Sequence, residues 1–145
     1  MRIISLFFFA FFVVGAHAAC EVTISAPDLL QYDKKELEVS RSCGTVKLTF
    51  VHTGKLPKNI MGHNWVLSEE KYLNAIAQEG GRAGLENSYV KPGDDRVIAF
   101  TKIIGGGETT EIEFSVADLP TATLAYYCTF PGHWTIMKGI LRVVA

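Results

Sequence analysis
The chain has 145 residues, 48% of them hydrophobic, with 14 Lys and Arg against 15 Asp and Glu and a formal net charge of −1. That length is enough for one domain with its own core. The balanced charge and the lack of a basic block argue against nucleic acid as a partner, because phosphate binding needs clustered Lys and Arg.

The first element lies outside the expected fold. Met1-Arg2 is a short positive start, the stretch from Ile3 to Gly15 is almost wholly apolar, and Ala16-His17-Ala18 fits a small-x-small cleavage site. This is the pattern of a secretory signal, residues 1–18, cut after Ala18. The apolar run falls short of the ~20 residues that a spanning helix needs. The remaining chain, 19–145, carries 13 basic and 15 acidic residues, a net charge of −2, and has no second long apolar stretch. It is expected to be an exported, soluble single domain without membrane insertion.

Short strands follow. Val22 and Ile24, then Leu37 and Val39, then Val46, Leu48 and Phe50 alternate with polar neighbours, the period-2 sign of a sheet with one buried face. Further candidates are Trp65 to Leu67, Val97 to Thr101, Glu111 to Val116, Leu124 to Thr129 and Ile140 to Val144. Lys91-Pro92-Gly93-Asp94 and Gly105-Gly106-Gly107 are turn material. One segment, around 68–79, reads instead as a helix. Ser68 is a candidate cap, Tyr72, Leu73 and Ile76 share a face, and Gly80-Gly81 is a candidate stop. Evenly spaced strands with one inserted helix predict an all-β sandwich.

The cysteines are Cys20, Cys43 and Cys128. Thiols pair in an oxidising compartment, and counting alone allows three pairings. One cysteine is left over and needs protection from oxidation, which a tightly held metal ion provides.

Cys128, His133 and Met137 give the spacing C-x4-H-x3-M. A thiolate, an imidazole and a thioether are soft donors that suit copper better than magnesium or calcium, and Met is an unusual zinc ligand. A trigonal site of two His and one Cys with a weak axial Met is the blue-copper arrangement. It needs a second histidine. His63 is the better candidate, because Gly62 permits close backbone approach and Asn64 is placed to brace the opposite loop. His52 extends the alternation of Val46, Leu48 and Phe50, which reads as a buried structural histidine. Pro131-Gly132 makes the ligand loop short and stiff. The donor set is full, and no acid or base beside it reads as catalytic, whereas a catalytic metal keeps an open position. The pattern points to an electron carrier, not an enzyme, with copper storage or delivery as the alternative.

Leu56-Pro57-Lys58-Asn59-Ile60-Met61-Gly62-His63-Asn64-Trp65-Val66-Leu67, Cys128-Thr129-Phe130-Pro131-Gly132-His133 and Met137-Lys138-Gly139 resemble the azurins, bacterial periplasmic blue-copper proteins of the cupredoxin fold. The resemblance spans nearly all of the chain after the signal. It implies a Greek-key β-sandwich of about eight strands and a disulfide between Cys20 and Cys43. It implies one copper ion held by His63, Cys128 and His133, with Met137 as weak axial ligand and the Gly62 carbonyl as a distant fifth contact. Asn64 is expected to brace the cysteine loop. The expected location is the periplasm. The expected partners are redox proteins, such as c-type cytochromes or periplasmic oxidoreductases, that dock briefly on a monomer. Met61, Leu56, Phe130 and Pro131 lie beside ligand residues and would form an apolar docking patch, with Leu30. Trp134 would either enlarge that patch or pack over the copper loop.

Overall fold
The computed structural model describes residues 20–117 and 119–145. The expected signal segment, 1–18, lies outside the described residues.

The alternating segments all form strands. They are β1 Glu21–Ala26, β2 Glu36–Ser40, β3 Thr45–His52, β4 Val66–Glu69, β5 Val97–Phe100, β6 Thr109–Ser115, β7 Leu124–Tyr127 and β8 Lys138–Val144. β1, β3 and β6 make one sheet in that order, and β2-β8-β7-β4-β5 make the second. The pairs β1/β3 and β2/β8 are parallel and the rest antiparallel. Burial along β3 alternates from Val46 through Leu48 and Phe50 to His52, so the period-2 reading places His52 inside.

β7 shows why its sequence looks continuously apolar. Leu124, Tyr126 and Cys128 face the core between the sheets, with Trp65, Phe114 and Met137. Ala125 and Tyr127 face the other way, into a second cluster with Leu73, Ile76 and Ala77 of the helix. A strand covered on both faces loses its polar alternation.

A four-residue helix, α1 Lys58–Met61, precedes the His63 segment. The inserted helix, α2, runs Leu73–Ala83 after a 3-10 turn at Glu70–Tyr72, slightly later than the sequence pattern places it. Ser68 does not cap it. Ser68 sits buried in β4, with its hydroxyl 2.9 Å from Tyr127 Oη and 2.9 Å from the Glu69 carbonyl. Gly80 does not stop it either. A Cβ there would lie 2.0 Å from the Tyr89 carbonyl oxygen, so Gly80 lets the next segment press on the helix. Gly84, at φ 80°, ends it.

Cys20 and Cys43 are disulfide-bonded, 23 residues apart, and Cys128 is free and buried. In the chain-entropy picture a loop of that length contributes ~3 kcal/mol.

Topology then decides where the site lies. β4, β7 and β8 are neighbours, and β7 runs antiparallel to both. The start of β4, the end of β7 and the start of β8 therefore meet at one end of the sandwich. His63, Cys128 and Met137 stand at those three places.

Candidate metal centre
The cysteine sulfur is held first. Cys128 follows β7 directly and is fully buried. Its amide donates to the Met137 carbonyl at 3.1 Å, closing the loop 128–137 at its base. Inside the loop, the His133 amide donates to the Phe130 carbonyl at 2.9 Å, with Gly132 at φ 85°, ψ −16°. Pro131 before such a glycine is the residue order of a type II turn. The turn aims His133 back toward Cys128.

Three buried donors converge. Cys128 Sγ lies 3.8 Å from His63 Nδ1 and 3.5 Å from His133 Nδ1. All three donor atoms lie within 4.8 Å of one another. An ion bonded at ~2.0–2.3 Å to three donors in a triangle sets them about 3.8 Å apart, so the spacing fits a metal ion. The Gly62 carbonyl oxygen lies 4.0 Å from the same sulfur. Met137 is fully buried in the core beside Cys128. Gly62 itself is required for space, since a Cβ there would fall 2.2 Å from the Lys58 carbonyl oxygen of α1.

Orientation comes from distant segments. The His63 ring lies with Nε2 3.0 Å from the Pro27 carbonyl. A carbonyl only accepts, so Nε2 carries the proton and Nδ1 offers its lone pair toward Cys128. Asn64 ties the loops together: its Nδ2 donates to the Ser88 carbonyl and to Thr129 Oγ1, both at 2.8 Å, and its Oδ1 accepts from the Thr129 amide at 2.9 Å. Tyr32 Oη donates to the Asn64 carbonyl at 2.6 Å. Among the described residues, Ser88 and Tyr89 are the non-glycine positions at positive φ, 55° and 54°. Backbone strain of this kind costs of order 1–3 kcal/mol and persists only where surroundings over-determine it. Here it presents the Ser88 carbonyl to Asn64 and sets the Tyr89 ring edge-on to Phe130 at 5.2 Å, which packs on His133 at 4.5 Å.

His52 has no free donor. Its Nε2 lies 2.8 Å from the Met61 carbonyl, its Nδ1 accepts from the Gly54 amide at 3.1 Å, and its ring stacks on His63 at 4.7 Å. It is a structural histidine, as its place in β3 implies.

Burial sets the protonation states. It lowers the His133 pKa to about 4, and burial followed by the neighbouring His52 lowers that of His63 to about 4. Both imidazoles are neutral at pH 7. Burial also pushes the Cys128 thiol up to about 12, against the pull of nearby backbone amides. A thiolate at Cys128, beside two neutral imidazoles, would be stabilised by a bound metal cation, which lowers the pKa of a coordinating thiol outright.

The apolar residues near the site divide. Pro131 and Leu56 are exposed, and Leu30, Met61 and Phe130 are half-buried. Leu29 (56% exposed), Ile60 (58%) and Ile136 (60%) extend the same end of the molecule; sequence reasoning passed over them because isolated exposed apolar residues carry no pattern. Trp134 packs against the cluster under α2, with Val66, Leu73 and Tyr127. The roles of Pro27, Ser88 and Tyr89 leave no signal in the sequence, since two act through carbonyls and the third through ring packing.

Comparison with known proteins agrees with this geometry. Residues 18–144 match the family described as copper binding proteins, plastocyanin/azurin family. The azurin of Bordetella pertussis is 48% identical over 128 residues, covering 88% of this chain and 85% of the relative. Azurin-1 of Alcaligenes xylosoxydans xylosoxydans is 49% identical over 128 residues, covering 88% and 99%. The solved structure of the azurin Az-iso2 from Methylomonas sp. strain J superposes with a TM-score of 0.85 at 43% identity, covering 88% of this chain and all of that one. With a β-sandwich of the cupredoxin type, a buried His-Cys-His cluster and these relatives, the chain belongs to the plastocyanin/azurin family, whose cofactor is copper.

Proposed function
We propose that residues 19–145 form a periplasmic blue-copper domain that carries single electrons between redox proteins. His63, Cys128 and His133 would hold the ion, with Met137 and the Gly62 carbonyl as weaker contacts. Copper supplies the chemistry when bound, accepting one electron as Cu(II) and giving it up as Cu(I). The observation that carries the reading is the convergence of three buried donor atoms within 4.8 Å, already oriented by partners from four other segments.

The chain's own residues do the rest. The Pro27 carbonyl and the Asn64–Thr129 pair keep the donors in place whatever the charge on the ion, so little has to rearrange on electron transfer. The burial of Cys128 excludes water and oxidants from the sulfur. Among the described residues the donors are buried and no acid or base is poised beside them for a substrate, which favours a carrier over an enzyme. Met61, Leu56, Phe130, Pro131 and Leu30 would supply a small docking face for a monomer, suited to brief contact with partners such as c-type cytochromes. Among the described residues no helix is long and apolar enough to cross a membrane, in keeping with an exported carrier.

The test is the absorption spectrum of the purified protein with added Cu(II). An intense blue colour that disappears on one-electron reduction and is lost in Cys128→Ser supports the reading. A colourless copper-loaded protein that yields its copper quickly to a chelator would favour storage or delivery instead.

A further inference from the structure
The loop between β3 and His63, residues 53–62, reads Thr-Gly-Lys-Leu-Pro-Lys-Asn-Ile-Met-Gly. It carries Lys55 and Lys58 and no acid, in a chain whose net charge is negative. Both lysines are exposed, in the same loop as the exposed Leu56 and Ile60. Among the described residues neither ammonium forms an ion pair. The nearby carboxylates are held by backbone: Asp28 accepts from the Lys55 amide at 2.7 Å and the Leu56 amide at 3.1 Å, and Glu108 accepts from the Gly105 amide at 2.8 Å. The loop is also pinned from below. The Gly106 amide donates to the Leu56 carbonyl at 2.8 Å, and Cβ atoms at Gly105 and Gly106 would collide with the backbone of Lys58 and Lys55. Two lysines without an ion pair among the described residues thus stand on a pinned backbone beside exposed Leu56 and Ile60, and the Asp28 link brings exposed Leu29 close to the same loop.

We propose that Lys55 and Lys58 form the charged rim of the docking face and select a redox protein whose own apolar spot is ringed by Asp and Glu side chains. This rests on the carrier reading above and names the class of partner. Opposite charge on the rim steers encounter and sets orientation, while the apolar centre keeps contact brief. A second copy of this chain is disfavoured, because a two-fold pairing of this face sets lysines against lysines.

The experiment uses the copper(I)-loaded protein and two probe pentapeptides, one with a tryptophan between two pairs of glutamates, the other with lysines in their place. Amide NMR shifts should concentrate on residues 54–60 with the acidic peptide, vanish with the basic one, and shrink at least severalfold in Lys55→Gln/Lys58→Gln. Shifts centred elsewhere, an equal response to both peptides, or an unchanged response in the double variant would overturn the proposal, as would self-association through this face. In parallel, hexacyanoferrate(II) is mixed with the copper(II) form. Reduction should slow as salt rises, and the double variant should react about threefold or more slowly with a flatter salt dependence. If neither protein is reduced at all, the carrier reading fails, while the peptide titration still decides the rim.

Discussion

Asn64 and Thr129 hold each other twice in the core: the amide group of Asn64 donates to Thr129 Oγ1 at 2.8 Å, and the Thr129 backbone amide donates to Asn64 Oδ1 at 2.9 Å. These bonds link the residue after His63 to the residue after Cys128. Replacing Asn64 with Ala removes them, removes the bond to the Ser88 carbonyl, and leaves buried polar groups unpaired. The expected loss is about 2–4 kcal/mol, from ~1–3 kcal/mol for each unsatisfied group with partial relaxation. Thr129→Val should cost about 1 kcal/mol, and the double variant should fall short of the sum. Denaturant unfolding of the metal-free protein measures all three; strict additivity would mean that the two residues act separately.

Metal uptake should release about one proton at neutral pH. The Cys128 thiol, raised to about 12 by burial, is protonated in the metal-free protein, while His63 and His133, lowered to about 4, are not. Bound as a thiolate, Cys128 must give up its proton. Calorimetric titration in buffers of different ionisation enthalpy counts it. Apparent affinity should rise about tenfold per pH unit between roughly pH 5 and 11. A release near zero would show that the thiolate is already formed.

The metal-free protein should be most stable between about pH 6.5 and 9. The two buried histidines have folded pKa values near 4 against a usual 6.5, so the unfolded chain binds protons first. Their contribution is whole above pH 6.5 and is lost as pH falls toward 4. Cys128 works on the other side: its usual value of 9.0 rises to about 12, so its contribution is whole below pH 9 and is lost as pH rises toward 12. Urea midpoints from pH 4 to 10 trace the dome. A flat profile from pH 6.5 to 4 would contradict the buried, neutral histidines.

Gly80→Ala gives a test of sign. Helix propensity alone predicts a gain of about 1 kcal/mol for Ala in α2. The structure predicts a loss of about 2 kcal/mol or more, because the new Cβ would meet the Tyr89 carbonyl at 2.0 Å and neither backbone yields easily. Thermal unfolding decides.

Trp134→Ala should destabilise by about 1–3 kcal/mol, since a half-buried ring leaves the cluster under α2. Reduction by a small soluble complex should change little, because the ring packs on the cluster under the helix. A large rate change at unchanged stability would place Trp134 in the docking face after all.

Much of this was legible in the sequence because it follows from local rules. Alternation marks which face of a strand is buried, so the strands could be located and His52 placed inside. C-x4-H-x3-M puts soft donors on a single loop, and Pro131-Gly132 dictates its turn. The remaining features depend on residues far apart in the chain. Ser68 looks like a helix cap until Tyr127, 59 residues away, takes its hydroxyl. Gly80 looks like a stop until the carbonyl of Tyr89 fills its missing side chain. The orientation of His63 depends on the carbonyl of Pro27, 36 residues away, and that of Asn64 on a strained Ser88. Side-chain identity and periodicity determined which groups bind and which faces are buried. Strand order alone decided which carbonyls and hydroxyls meet them, since a backbone acceptor is the same at every residue and only the tertiary fold gives it an address.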